Sequence, residues 1–205
     1  MSRIFCAIFS NTPLADEWAG DGKTDAVDVA NIFIELANAD ENSCMTNLQL
    51  NELVYLAQAW SLEKLEKALF EEEIQAWKCG PIIPSVYHEF KKYGKVRIAE
   101  VSREYAEDEV SSEELDLLLD IAEQYGNYSA SKLRKITHKI GGAWSQTYDE
   151  TKTNQIPKEL IRKDVKNEDL HSLTERLDKI VANLPQEGRH DENGHLILPI
   201  DTYPD

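Results

Sequence analysis

The chain reads as a mainly α protein, a compact helical bundle with one short β-hairpin, followed by a C-terminal helix and a tail. Three observations predict this. Apolar residues recur at helical spacing through most of the chain. Cap-forming residues such as Thr24, Ser111 and Ser129 stand just ahead of these stripes. The pattern breaks sharply once near the middle, at Gly80-Pro81-Ile82-Ile83-Pro84, where two prolines forbid a continuous helix.

Taken in order, residues 1–23 read as an extension broken by Asn11-Thr12-Pro13 and Gly20-Asp21-Gly22. A helix is expected from about Asp25 to Ala39, capped by Thr24, with Ala26, Val29, Ala30, Phe33 and Ala37 on one face. The next helix carries Leu50, Leu53, Val54, Leu56, Ala57 and Trp60, apolar almost all round, which predicts a central place in the bundle. After the break, Pro84 suits the first turn of a new helix bearing Val86, Tyr87 and Phe90 and stopped at Gly94. An extended stretch around Val96 to Val101 is expected to pair with Glu73 to Trp77. Ser111 and Glu114 form a capping box before Leu115, Leu118, Leu119 and Ala122. Ser129 caps a further helix with Leu133, Ile136 and Ile140 inward, closing at Gly141-Gly142. A polar turn follows Trp144, and a last helix runs from about Leu170 to Leu184. The implied organisation is an extension over 1–23, a central domain over 24–150, a C-terminal helical segment over 151–185 and an acidic tail over 186–205.

The 205 residues are 41% hydrophobic and 29% charged, with a formal charge of −16. That field repels phosphate backbones, so nucleic acid is disfavoured as a partner, while encounter with a basic protein is favoured. The charge is uneven. Ten acids face one base between Ile98 and Glu123, whereas nine bases face four acids between Ser131 and Lys166. Such a polarised surface suits protein contacts or self-association. Cys6, Cys44 and Cys79 form no CxxC pair, which fits a reducing, cytoplasmic setting and argues against a cysteine zinc site. No run approaches the ~20 apolar residues of a membrane span, and the apolar start at Arg3–Phe9 is too short for a signal peptide.

Residue chemistry offers little to an enzyme. His88 and His138 lie on separate helices without a ligand-pair spacing, and Cys79 has no histidine beside it. No GxSxG motif or phosphate-cradling loop is present. No catalytic, cofactor or metal site is expected. Two binding candidates stand out instead. One is the corner formed by Trp77, Lys78, Gly80, Pro81, Pro84 and Tyr87, where prolines stiffen an aromatic platform; it reads either as a structural corner or as a recognition surface. A buried Trp77 ring there would make Trp77→Ala cost about 3–5 kcal/mol. The other is the stripe Leu170, Leu173, Leu177, Ile180 and Leu184, which either packs on the domain or offers a partner-binding helix.

Three stretches then carry a resemblance. Leu48-Gln49-Leu50-Asn51-Glu52-Leu53-Val54-Tyr55-Leu56-Ala57-Gln58 resembles a central helix with leucines ahead of tyrosine, alanine and glutamine. Ala76-Trp77-Lys78-Cys79-Gly80-Pro81-Ile82-Ile83-Pro84-Ser85-Val86-Tyr87 is similar to an alanine–tryptophan, glycine–proline–valine and tyrosine motif. Leu133-Arg134-Lys135-Ile136-Thr137-His138, with Trp144 beyond, resembles a leucine, threonine–histidine and tryptophan signature. In this order they resemble the Panacea antitoxin domain over about Asp25 to Tyr148, although Asn51-Glu52 replaces the usual lysine or arginine and Cys79 a common aromatic residue. The resemblance implies the antitoxin of a bacterial or phage toxin–antitoxin pair, neutralising a cognate protein toxin by direct binding. It leaves two alternatives, an adaptor that delivers a toxin to a protease and a regulator of its own promoter. Toxin identity and oligomeric state stay open.

Overall fold

The computed structural model describes residues 24–39, 45–103, 110–172, 189–190 and 196–197. The expected extension over 1–23, the stripe residues Leu173, Leu177, Ile180 and Leu184, and most of the tail lie outside the described residues. The chain divides into two units, Met1–His171 and Ser172–Asp205. In the second unit the described residues are two strands, β4 (Arg189–His190) and β5 (Leu196–Ile197), paired antiparallel.

The first unit is built around a helix whose every side can be covered. Helix α1 (Ala26–Asn38) is capped by Asp25, not Thr24, because the Asp25 carboxylate accepts from Val27 N and Asp28 N. Helix α2 (Asn47–Trp60) begins with a capping box made by Thr46 and Gln49. From Leu50 to Trp60 each of its residues is buried, since α1 packs on one side and the later helices close the others. A π-helical turn, Ser61–Leu65, ends α2 at Glu66, whose φ is 55°. The Gln58 carboxamide then holds the following bend, donating to Phe70 O and accepting from Leu69 N and Phe70 N.

Strands β1 (Gln75–Trp77) and β2 (Gly80–Ile82) form a short hairpin with Trp77 opposite Gly80, so the hairpin the sequence predicts is present but its second strand lies within the corner. The third strand, β3 (Asn154–Gln155), pairs with the other edge of β1. The expected pairing of β1 with residues 96–101 does not form; Ile98 N donates to Met45 O instead, and the stretch carries no strand. Helix α3 (Pro84–Phe90) starts with proline in its first turn and runs into a 3₁₀ turn, Lys91–Tyr93, before Gly94. Helix α4 (Ser112–Tyr125) has the expected Ser111–Glu114 capping box, and α5 (Ala130–Thr137) is capped by Ser129. Because α5 stops at Thr137, Ile140 leaves the helical register and is fully exposed at 102%, not inward as its spacing suggested.

The region after Trp144 is more ordered than a polar turn. Helix α6 (Ala143–Thr147) leads to β3 and then to α7 (Lys158–Val165), which turns Ile161, Asp164 and Val165 inward. The core therefore extends past residue 150: Ile156, Ile161, Val165 and Leu170 belong to the same apolar cluster as α1, α2 and α4. Leu170, the first residue of the sequence-predicted partner-binding stripe, is thus a core residue of this unit. Among the described residues no helix is long and apolar enough to cross a membrane.

Candidate partner-binding corner

The hairpin and the start of α3 are held in place by side chains that arrive from the central helix. The Asn51 amide oxygen accepts from Ile83 N at 3.1 Å, and its amide donates to the Asn47 carbonyl and side chain. Asn47 in turn donates to Tyr87 O at 3.0 Å. These bonds satisfy the buried backbone where two prolines have removed local partners. From the other side, Trp144 Nε1 donates to Trp77 O at 2.8 Å and Arg134 to Lys78 O at 3.3 Å. The platform is rigid because it is tied from both flanks.

On that platform the aromatic rings are only partly covered. Trp77 and Tyr87 meet edge to face with centroids 5.1 Å apart, and exposed His88 lies 5.5 Å from Tyr87. Trp77 Nε1 donates to the Gln75 carboxamide. Trp77 is therefore not the fully buried anchor that would make its removal cost a full core residue. Of the sequence-predicted corner residues, Gly80 and Pro81 are buried, Pro84 and Tyr87 are half-buried, and Lys78 is exposed. All six gather here. A second ladder stands beside them: His138 stacks on Trp144 at 3.9 Å, and Trp144 on Tyr148 at 4.9 Å. A cleft of about 540 Å³ opens between Trp77, Lys78 and the Tyr148–Thr153 loop.

Beneath the corner lies a polar pair that the sequence did not reveal. Gly80 has φ of 137°, and a methyl group there would stand 2.8 Å from both Glu52 Oε1 and His138 Nε2. Only glycine fits such a backbone and such a gap. Burial raises the Glu52 carboxyl to about 7, against the pull of the Thr137 hydroxyl and the Arg134 charge. Burial, with Arg134 adding to it, lowers His138 to about 4. Among the described residues, Glu52 Oε2 and His138 Nε2 have no hydrogen-bond partner. Cys79, in the hairpin turn, has its thiol pushed up by burial, which keeps it protonated and a poor nucleophile. Among the described residues no three His, Cys, Asp or Glu side chains gather as a metal site would need. The available signal for Glu52 was an ionisable residue inside an almost wholly apolar helix; nothing in the spacing linked it to His138.

The fold is thus a mainly helical domain with a stiff aromatic corner. A family profile described as Antitoxin SocA-like, Panacea domain, matches residues 50–145, which span α2, the corner, α5 and Trp144. The Antitoxin SocA of Caulobacter vibrioides (strain NA1000 / CB15N) is 32% identical to this chain, over 58% of it and 68% of that protein. The chain belongs to the SocA-like Panacea antitoxin family, and that membership supports an antitoxin role. No solved structure matches the chain.

Proposed function

We propose that the protein is an antitoxin that neutralises a cognate protein toxin by direct, stoichiometric binding, with the corner as its contact surface. The observation that carries this reading is the state of the rings: Trp77, Tyr87 and His88 are held by a fully tied backbone yet remain accessible. A pre-organised aromatic surface loses little entropy on association, which is where hot-spot residues are found. The family match supports the partner's class, since the related SocA is itself named an antitoxin.

The test is co-expression with the product of the adjacent reading frame, followed by purification and titration. Growth rescue should saturate at equimolar antitoxin and a complex should co-elute. Trp77→Ala and Tyr87→Ala should weaken the complex about 30-fold or more, as hot-spot truncations do. Excess toxin inactivated at sub-stoichiometric antitoxin would overturn the reading in favour of catalysis. A toxin that vanishes only in protease-competent cells would favour the adaptor.

A further inference from the structure

The corner carries the opposite charge to the rest of the chain. The protein is at −16, and several bases elsewhere in the first unit are neutralised: Arg103 pairs with Asp25 and Asp28, Lys67 with Glu114, Lys158 with Glu71, and Arg162 with Glu63. The bases beside the aromatic rings are not. On one flank Lys78, Arg134 and Lys135 are exposed, and among the described residues none forms an ion pair. Arg134 is turned toward the hairpin by its bond to Lys78 O.

On the other flank, Lys91 and Lys92 follow His88 in the 3₁₀ extension of α3, and Lys95 stands just past Gly94. They too are exposed without an ion pair among the described residues. His88, Lys91 and Lys92 stand three and four positions apart, which puts them on one side of the helical turn. Val96, 65% exposed, adds an apolar spot beyond them. The acids nearby offset these charges only in part: Asp149 is paired with Lys152, while Glu73, Glu89 and Glu150 stand as exposed carboxylates on the rim against Lys78, Arg134, Lys135, Lys91, Lys92 and Lys95.

Part of the lysine signal has a local cause, because cations at a helix C-terminus complement its dipole. That accounts for Lys91 and Lys92 but not for Lys78, Arg134 or Lys135 on another face. Two unpaired basic strips flanking one aromatic platform, on a strongly acidic protein, define a partner by complementarity.

We infer that the corner accepts an acidic segment of a partner protein carrying an apolar or aromatic anchor, the anchor packing on Trp77 and Tyr87 and the carboxylates meeting the two basic strips. This rests on the corner being the toxin contact, and it names the chemistry of the toxin element that docks there. Single-stranded nucleic acid also uses bases and rings; the −16 field and the acidic stretch from Ile98 to Glu123 weigh against it.

The full chain should be titrated by fluorescence anisotropy with three labelled probes: a short Asp/Glu peptide centred on Trp and Leu, the same peptide with Lys for every acid, and a short single-stranded RNA. The acidic peptide should bind about tenfold or more tighter than the other two, and more weakly as salt rises. Lys91→Glu with Lys92→Glu, or Lys78→Glu with Lys135→Glu, should each lower its affinity about tenfold. These positions are exposed, so unchanged melting curves check that the variants are folded. Equal binding of the acidic and basic peptides, tighter binding of RNA, or reversal variants that bind like the parent would each overturn the inference. With the toxin itself the two readings separate. Capture lost on Trp77→Ala but unaffected by charge reversal overturns the acidic partner and keeps the corner. Capture unaffected by both overturns the corner.

Discussion

Two buried carboxylates beside the central helix meet opposite fates. Asp164, on α7, is closed off: the Tyr55 hydroxyl donates to Oδ2 at 2.5 Å and Ala143 N to Oδ1 at 2.9 Å. Lys139 also donates to the Asp164 carbonyl, so α7 is latched to α2 and α6. Glu52, on α2 itself, is equally sequestered at 4% exposure but has an oxygen without a partner. A satisfied buried carboxylate is a fastening, whereas an unsatisfied one stores unfavourable energy. That energy sits directly beneath the corner, within the stretch that matches the family profile. Strained and under-satisfied groups persist where the surroundings over-determine them, and they concentrate at functional surfaces. The latch region holds the fold together; the corner spends stability to keep its shape.

The largest effect is expected where the two meet the backbone. Gly80→Ala forces an unfavourable φ and pushes on Glu52 and His138 together, and should cost about 4 kcal/mol in urea unfolding. Gly94→Ala is the control, with positive φ but open space around it, and should cost only about 1–2 kcal/mol. Equal losses at the two glycines would erase the distinction between corner and surface turn.

Glu52 and His138 also set opposing pH dependences. Glu52 holds its proton more tightly when folded, so its stabilising contribution is full below about pH 4.5 and is lost as pH rises to about 7. His138 is depressed, so its contribution is full above about pH 6.5 and is lost as pH falls to about 4. In the parent the two slopes largely offset each other between these limits. Glu52→Gln should leave a protein that loses stability on acidification and exceeds the parent by about 2–3 kcal/mol above pH 7. His138→Gln should leave one that gains stability on acidification. Thermal melts from about pH 4 to about pH 7 that show the same slope for both variants would show that burial of these two groups does not set the pH dependence.

At the latch, Tyr55→Phe keeps the ring and deletes one donor. The Asp164 oxygen is then left buried and unmet, at a cost of about 2 kcal/mol in chemical denaturation. A loss under about 0.5 kcal/mol would mean that water replaces the hydroxyl and that the latch is not sealed. Trp77→Ala should cost about 2 kcal/mol, less than a fully buried ring because part of it is uncovered, while it is among the most severe for partner capture. A large stability loss there would return Trp77 to the core and weaken the binding reading.

Much of the helical framework was legible because its signals are local. The Ser111–Glu114 box, Ser129 and Pro84 each act within one helical turn, so neighbouring residues suffice to predict the starts of α3, α4 and α5. The apolar residues spread almost all round α2 likewise announced a central helix, because burial on every side favours them. Even the corner could be located, since proline and glycine restrict the backbone wherever they stand. What the sequence could not settle depends on residues far apart in the chain arriving at one place. The partners of β1 proved to be β2 and, on its other edge, β3, because the chain returns after α6 to bury Ile156 beside Ile74. Helix α7 was hidden by its brevity and by Asp164, a polar residue on the inward face that becomes tolerable only once Tyr55 and Ala143 N reach it. Glu52 and His138 carry no shared periodicity, and the space between them exists only because Gly80 threads it. Whether Trp77 faces core or solvent was likewise decided by packing, since side-chain exposure is a property of the assembled neighbours and not of the residue that bears the ring.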